Sequence, residues 1–175
     1  MSTKLILDLC GGTGAWSAPY KENGYDVRVI TLPEHDVRTY EVPNDVYGIL
    51  AAPPCTMFAN SGSRWKRTKE QMDDALSIVY ACIDIIRLSS PMFWALENPI
   101  GKLVHYLGKP QMYFQPYEYG EPYTKKTCLW GKFNSPVKNI VYPIEGSKMH
   151  TKVRKSELRA ITPKGFAYAF FQANH

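Results

Sequence analysis

The chain has 175 residues, a formal net charge of +5 and an apolar share of 45%, which suits one domain with a full core and is too short for two. No apolar run approaches the ~18 residues that a membrane span needs, and the opening run Leu5-Ile-Leu7 stops at Asp8, which argues against a signal peptide and for a cytoplasmic protein. Four widely spaced cysteines (Cys10, Cys55, Cys82, Cys128) without a C-x-x-C pair argue against a zinc site and a disulfide framework, and the modest positive charge suits a polyanionic partner without proving one.

Lys4 to Cys10 predicts a first strand, running into Gly11-Gly-Thr-Gly14 and a helix from Ala15 to Asn23 that stops at Gly24. Strand, glycine-rich turn and helix form a nucleotide-type cofactor loop. Its glycines let the backbone pass close under a ligand, and the helix start favours an anionic group. A plain tight turn is the alternative, because Ser17 stands where the third glycine of G-x-G-x-x-G would be. Tyr25 to Thr31 predicts a second strand. Thr31 holds the position where a dinucleotide site wants an acidic residue, with Glu34 three residues on. His35-Asp36-Val37 reads as a short third β-edge segment, in which Asp36 either meets a ligand's amino group or is a solvated loop carboxylate.

Tyr47 to Ala52 is a short apolar run of the buried-strand kind, stopped by Pro53-Pro54, which cannot donate to a ladder. Cys55 therefore sits just past a strand's C-terminal end, the edge where open α/β sheets bind ligands. It is a candidate nucleophile, or else a buried structural thiol. In Phe58 to Lys69, the cations Arg64, Lys66, Arg67 and Lys69 flank Trp65, a pattern for phosphate contact and base stacking or for a solvated loop. Thr68 and Gln71 make a capping-box pair that opens a helix of about five turns. Met72, Ala75, Val79, Cys82, Ile83 and Ile86 share one face of it.

Pro91 to Glu97 predicts the next buried strand, ending in Glu97-Asn98-Pro99. A carboxylate at such a tip is costly unless paired or used. If this strand lies beside the Cys55 strand, both tips face one crevice and read as nucleophile plus acid of raised pKa. Lys125 and Lys126 precede a strand predicted from Thr127 to Trp130. Asn134 to Lys155, with Pro136, Pro143, Gly146 and five lysines or arginines, reads as a basic, weakly structured surface. Thr162 as N-cap and Pro163 at the first position open a last helix.

Taken in order, these stretches resemble the DNA cytosine-5 methyltransferases, especially the short single-domain forms of phage and prophage. Asp8-Leu-Cys-Gly-Gly-Thr-Gly14 looks like the family's cofactor loop, Pro53-Pro-Cys55 its nucleophile motif and Glu97-Asn98 its glutamate motif. Lys125-Lys-Thr127 with Trp130 is similar to the basic motif that follows, and Arg159-Ala-Ile-Thr-Pro163 to the late motif that supports DNA recognition. Each motif alone is weak; about 40 residues between Cys55 and Glu97, with the flanking motifs in register, make a specific set.

The resemblance implies an α/β, Rossmann-like class I S-adenosylmethionine-dependent methyltransferase fold with a mostly parallel sheet. It implies one domain over 1–175, of which 131–158 is a reduced, basic target-recognition-like segment. Asp8, Leu9, Cys10, Gly11, Gly12, Thr13, Gly14, Trp16, Thr31, Leu32, Asp36 and Pro53 would hold S-adenosylmethionine. Cys55, Glu97, Asn98, Lys125 and Thr127 would act on a flipped cytosine, and Arg64, Lys66, Arg67, Lys69, Lys126 and Arg159 would bind DNA, with no metal. Three departures carry expectations. Thr31 replaces an acidic ribose ligand. Fewer than 30 residues separate Gly131 from Arg159, so sequence specificity should be short, lax or supplied by a partner. No further motif follows Asn174-His175, so a second copy or another chain is expected to complete the cofactor pocket.

Overall fold

Alternation of side chains along the apolar runs decides which layer each residue joins. In a computed structural model that describes residues 3–60, 66–147 and 160–175, these runs form one six-stranded sheet: β1 (Leu5–Leu9), β2 (Asp26–Ile30), β3 (Val46–Ala51), β4 (Phe93–Pro99), β5 (Met112–Phe114) and β6 (Thr127–Lys132). Spatial order is β2-β1-β3-β4-β6-β5. The first four strands run parallel, and β6 is inserted antiparallel between β4 and β5. This is a Rossmann-like α/β fold with a mostly parallel sheet.

Leu5, Leu7, Leu9, Ile49, Ala51 and Leu96 point to one face, where the helix α2 (Lys69–Ser89) packs with Ala75, Val79, Cys82, Ile85 and Ile86. Ile6, Leu50, Phe93, Ala95 and Leu129 point to the other, against Trp16, Tyr20 of the short helix α1 (Ala18–Glu22), and Phe166 and Phe170 of the last helix. A further short helix, α3 (Val104–Leu107), follows β4, and the last helix is α4 (Lys164–Ala173).

The capping box forms as read: Thr68 Oγ1 accepts from Gln71 N (3.2 Å) and Gln71 Oε1 from Thr68 N (3.0 Å). The buried stripe of α2 differs at one margin, where Ile85 is buried and Ile83 only half-buried. Other local expectations change. The first helix begins at Ala18 rather than Ala15, because residues 12–17 form turns and Ser17 spends its hydroxyl on Asp8 instead of capping. His35-Asp36-Val37 is no strand. Local hydrogen bonds turn the chain there, from His35 N to the Thr31 carbonyl (2.9 Å) and from Thr39 N to the Asp36 carbonyl (3.1 Å). The last helix starts at Lys164, since Pro163, with ψ at 132°, is extended and takes the cap position expected of Thr162. β5 and the 3-10 turn at Pro116–Glu118 had no clear sequence signal. Residues 134–147 form no regular element beyond isolated bridges at Asn139 and Ser147.

Aromatic stacking holds α4 to the sheet: Phe166 lies on Phe114 with centroids 3.8 Å apart and rings 6° from parallel, and Trp16 meets Phe170 edge-on at 5.5 Å. Phe166→Ala should therefore lower stability by about 3–5 kcal/mol. Urea unfolding followed by fluorescence should show a lower midpoint at unchanged slope.

Candidate active site

Register brings the chemistry to one edge. Leu9 pairs with Ala51 and Ala51 with Leu96, so β1, β3 and β4 end level with one another. The chain leaves them as Cys10-Gly11, Ala52-Pro53-Pro54-Cys55 and Glu97-Asn98. Because β6 is antiparallel, its first residue Thr127 lies opposite Pro99, which carries Lys125 and Lys126 to the same edge. Strand order reverses between β1 and β3, the position where open α/β sheets form their ligand crevice. A cavity of about 1080 Å3 opens there, and Asp8, Gly11, Trp16, Cys55, Glu97 and Lys125 all line it.

The glycine loop is built around a buried carboxylate. Asp8 is fully buried in β1; its Oδ2 accepts the Ser17 hydroxyl at 2.5 Å, while Oδ1 has no partner among the described residues. Burial raises its pKa from an ordinary 3.8 to about 6, against the lowering effect of Ser17. Gly11 passes so close that a Cβ would fall 2.4 Å from the Asp8 carboxyl carbon. Cys10 adopts φ +56° and its thiol meets that of Cys82 on α2. The indole Nε1 of Trp16 is likewise buried without a partner among the described residues. An unmet acceptor and an unmet donor beside one glycine turn fit a ligand with an ammonium and a carboxylate, the amino-acid end of S-adenosylmethionine.

Cys55 begins a tight turn in which its carbonyl accepts from Phe58 N (2.9 Å) and Ala59 N (2.8 Å). Three contacts fix that turn. Asn98 Nδ2 donates to the Pro53 carbonyl at 2.9 Å, and Asn98 is fully buried. Lys102 N reaches the Phe58 carbonyl at 2.8 Å, with Gly101 so close that a Cβ would sit 1.9 Å from that oxygen. Arg67 donates to the Thr56 and Ala59 carbonyls at 3.1 and 3.2 Å.

At the neighbouring tip, Glu97 Oε1 lies 3.8 Å from Lys125 Nζ, and both side chains are largely buried. Burial raises the Glu97 pKa, and the Lys125 ammonium opposes the rise. Lys125 is itself held by its backbone: its N–H donates to Gln115 Oε1 (2.9 Å), and its carbonyl accepts the Thr127 hydroxyl (2.9 Å). Thr127 is buried behind it and does not line the cavity. Gln115 was absent from the sequence reading; only its capping-box spacing to Glu118 marks it.

The predicted cofactor residues divide into two groups. Cys10, Gly11, Gly12, Thr13, Trp16 and Pro53 line the cavity with Asp8. Leu9 is buried within β1, and Gly14 serves the turn, donating to the Gly11 carbonyl at 2.9 Å. Among the described residues the lining does not include Thr31, Leu32 or Asp36. Arg38 instead engages both oxygens of Asp36 through Nε and one Nη, and ties it to Asp74 of α2. This clamp holds the Asp36 pKa down to about 2. Of the predicted DNA contacts, Lys66, Arg67 and Lys126 line the cavity, and Lys69 is the exposed first residue of α2. Arg64 and Arg159 lie outside the described residues. No cluster of metal-ligating side chains occurs among the described residues, and no described helix is long and apolar enough to cross a membrane.

No family model matches the chain. It is similar to the type II methyltransferase M.DdeI of Desulfomicrobium norvegicum, 29% identical over 125 residues that cover 56% of this chain. The matched part is 28% of that relative's length, so the chain spans well under half of the curated protein it matches. A solved E. coli structure, described as a candidate DNA modification methyltransferase encoded within a prophage, is 17% identical with a TM-score of 0.49 over 74% of this chain and 47% of its own. The likeness to methyltransferases read from the motifs is thus shared by a curated relative.

The Asp8 carboxyl has its folded-state pKa raised, so it binds its proton more tightly folded than unfolded, and its effect on stability worsens as pH rises from about 4 to 6. Asp8→Asn should then be more stable than wild type at pH 7, by about 1–3 kcal/mol. The gap should shrink as pH falls from 6 towards 4 in urea unfolding, while titration calorimetry shows S-adenosylmethionine binding weakened at least tenfold.

Proposed function

We propose that this chain is a DNA methyltransferase domain that acts on carbon 5 of cytosine through a covalent Cys55 adduct. The observation that carries the reading is the pairing of β3 with β4, which opens Cys55 and Glu97 into one cavity with the glycine loop. Lys66 and Lys126 on that cavity, and Lys69 beside it, supply the cations that a phosphate backbone requires. The name of the curated relative supports the same reaction class.

S-adenosylmethionine, when bound, supplies a methyl group activated by its sulfonium. Asp8 Oδ1 would receive the ligand's ammonium and Trp16 Nε1 would donate to its carboxylate. The target base leaves the stack at a cost of a few kcal/mol. The Cys55 thiolate then forms a bond to ring carbon 6, while Glu97 donates a proton or a hydrogen bond to ring nitrogen 3 and disperses the charge that develops. Carbon 5, now electron-rich, is the atom that would accept the methyl as its bond to the sulfonium breaks and leaves a neutral thioether. A solvent water takes the proton from carbon 5, Glu97 takes back any proton it gave to nitrogen 3, and the ring double bond re-forms as the carbon–sulfur bond breaks, returning Cys55 as thiolate. Lys125 holds Glu97 in place from 3.8 Å throughout.

A second reading has its own observation. With Asp36 clamped by Arg38, and Thr31 and Leu32 outside the cavity, the far end of the cofactor has fewer predicted contacts. That favours either a larger transferred group or a silent binding homologue. One experiment separates the readings: nucleoside mass spectrometry of DNA from a methylation-free host expressing the chain or its Cys55→Ala variant. The expected result is 5-methylcytosine in wild type and none in the variant. A different added mass overturns the cofactor, and no modified base from folded protein overturns the reaction.

The Glu97–Lys125 pair gives a pH prediction. Glu97 acts in its protonated form, so kcat falls as pH rises through its pKa. Lys125 lowers that pKa. In Lys125→Met the alkaline limb of the kcat profile should therefore move to higher pH, even as kcat itself drops.

A further inference from the structure

We infer that Arg67 is a positioning residue that latches the Cys55 turn to the start of α2, rather than a phosphate contact; this rests on the reading of Cys55 as the nucleophile. The geometry is specific. A single Nη of Arg67 donates to the Thr56 carbonyl at 3.1 Å and to the Ala59 carbonyl at 3.2 Å, which commits both of its protons to protein. Those two oxygens bracket the turn whose Phe58 and Ala59 amides converge on the Cys55 carbonyl. A one-turn helical segment leaves its last carbonyls without internal partners, and the guanidinium supplies them.

The other end of the latch is rigid. Arg67 immediately precedes Thr68, whose reciprocal capping box with Gln71 fixes the backbone at the head of a 21-residue helix. That helix is bound to the sheet by Val79, Cys82 and Ile86. Asn98 holds the turn's root at Pro53, the Lys102 amide holds its middle at Phe58, and Arg67 closes its open side. The nucleophile is thereby referenced to β4 and to α2 at once. Basic composition suggested a phosphate role for this residue, and the two roles make opposite predictions.

The test uses the full chain as wild type, Arg67→Ala and Arg67→Lys, each checked for folding by circular dichroism. The first readout is alkylation of Cys55 by iodoacetamide against pH, located by peptide mass spectrometry, without DNA or cofactor. The thiolate's stability follows the backbone dipoles of the turn around it. Arg67→Ala should move the midpoint of that profile by roughly half a pH unit or more, and Arg67→Lys, which can still donate to both carbonyls, should restore most of it. The second readout is duplex DNA affinity against salt. Its log–log slope should be unchanged in Arg67→Ala, whereas loss of a phosphate contact would reduce it by about 0.9. The third is methyl transfer, where kcat should fall by about 10–100-fold with little change in KM. An unmoved alkylation profile overturns the latch, whatever the salt slope. Wild type that transfers no methyl group counts against the proposed reaction alone, because the alkylation comparison still decides the role of Arg67.

Discussion

The hydrogen bond from Asn98 Nδ2 to the Pro53 carbonyl ties the tips of β3 and β4 together at 2.9 Å, and the arrangement of the site depends on it. Pro53 and Pro54 end the β3 ladder because neither can donate, and they leave a carbonyl that must find a donor from outside the strand. The next strand supplies that donor from the residue after Glu97. The Cys55 turn and the Glu97 carboxyl are therefore set against each other by one buried contact between adjacent strands. With Leu9, Ala51 and Leu96 level in register, the glycine loop joins the same edge without any long connection.

Around that edge the fold tolerates polar groups that a structural core would avoid. Among the described residues Asp8 is fully buried with one oxygen unmet, Trp16 keeps an unpaired indole nitrogen, and Glu97 has a raised pKa beside a largely buried ammonium. Each costs stability by itself. They cluster on one cavity while the same sheet is fully apolar at Ile6, Leu7, Ile49 and Leu50. Such a distribution is expected where a ligand, rather than the fold, completes the hydrogen bonding.

How much of this was legible in the sequence depends on how local each signal is. Cys55 behind two prolines and Glu97 at the end of an apolar run announce themselves within a few residues, and adjacent strands then bring them together. The capping box at Thr68 and Gln71 is equally local. Asp36 was read as a ligand contact or a solvated loop carboxylate, but its partner Arg38 is two residues away, and the clamp is completed from α2 by Asp74, which no local pattern reveals. Gln115 reaches Lys125 only because β5 lies beside β6, a pairing of three residues with little periodicity to read. Arg67 was legible as a cation; that one of its Nη groups donates to two carbonyls is a property of the folded turn.

The aromatic layer explains how so short a glycine loop holds its shape. Trp16 lines the cavity on one side and meets Phe166 and Phe170 of α4 on the other, at 6.1 and 5.5 Å. Tyr20, on the helix that follows the loop, donates its hydroxyl to the Asn174 carbonyl at 2.9 Å. Ile161 and Thr162, just before α4, are also part of the cavity wall. The same segment thus closes the cavity at its start and braces the loop from behind along its length. Because α1 is only five residues long, it cannot position the loop through its own packing, and the α4 aromatics take over that task. A ligand entering beside Trp16 would press on a wall backed by stacked rings. That backing holds Asp8 and Trp16 in the cavity wall, where their unpartnered polar atoms would be free to meet a ligand instead of relaxing into the core.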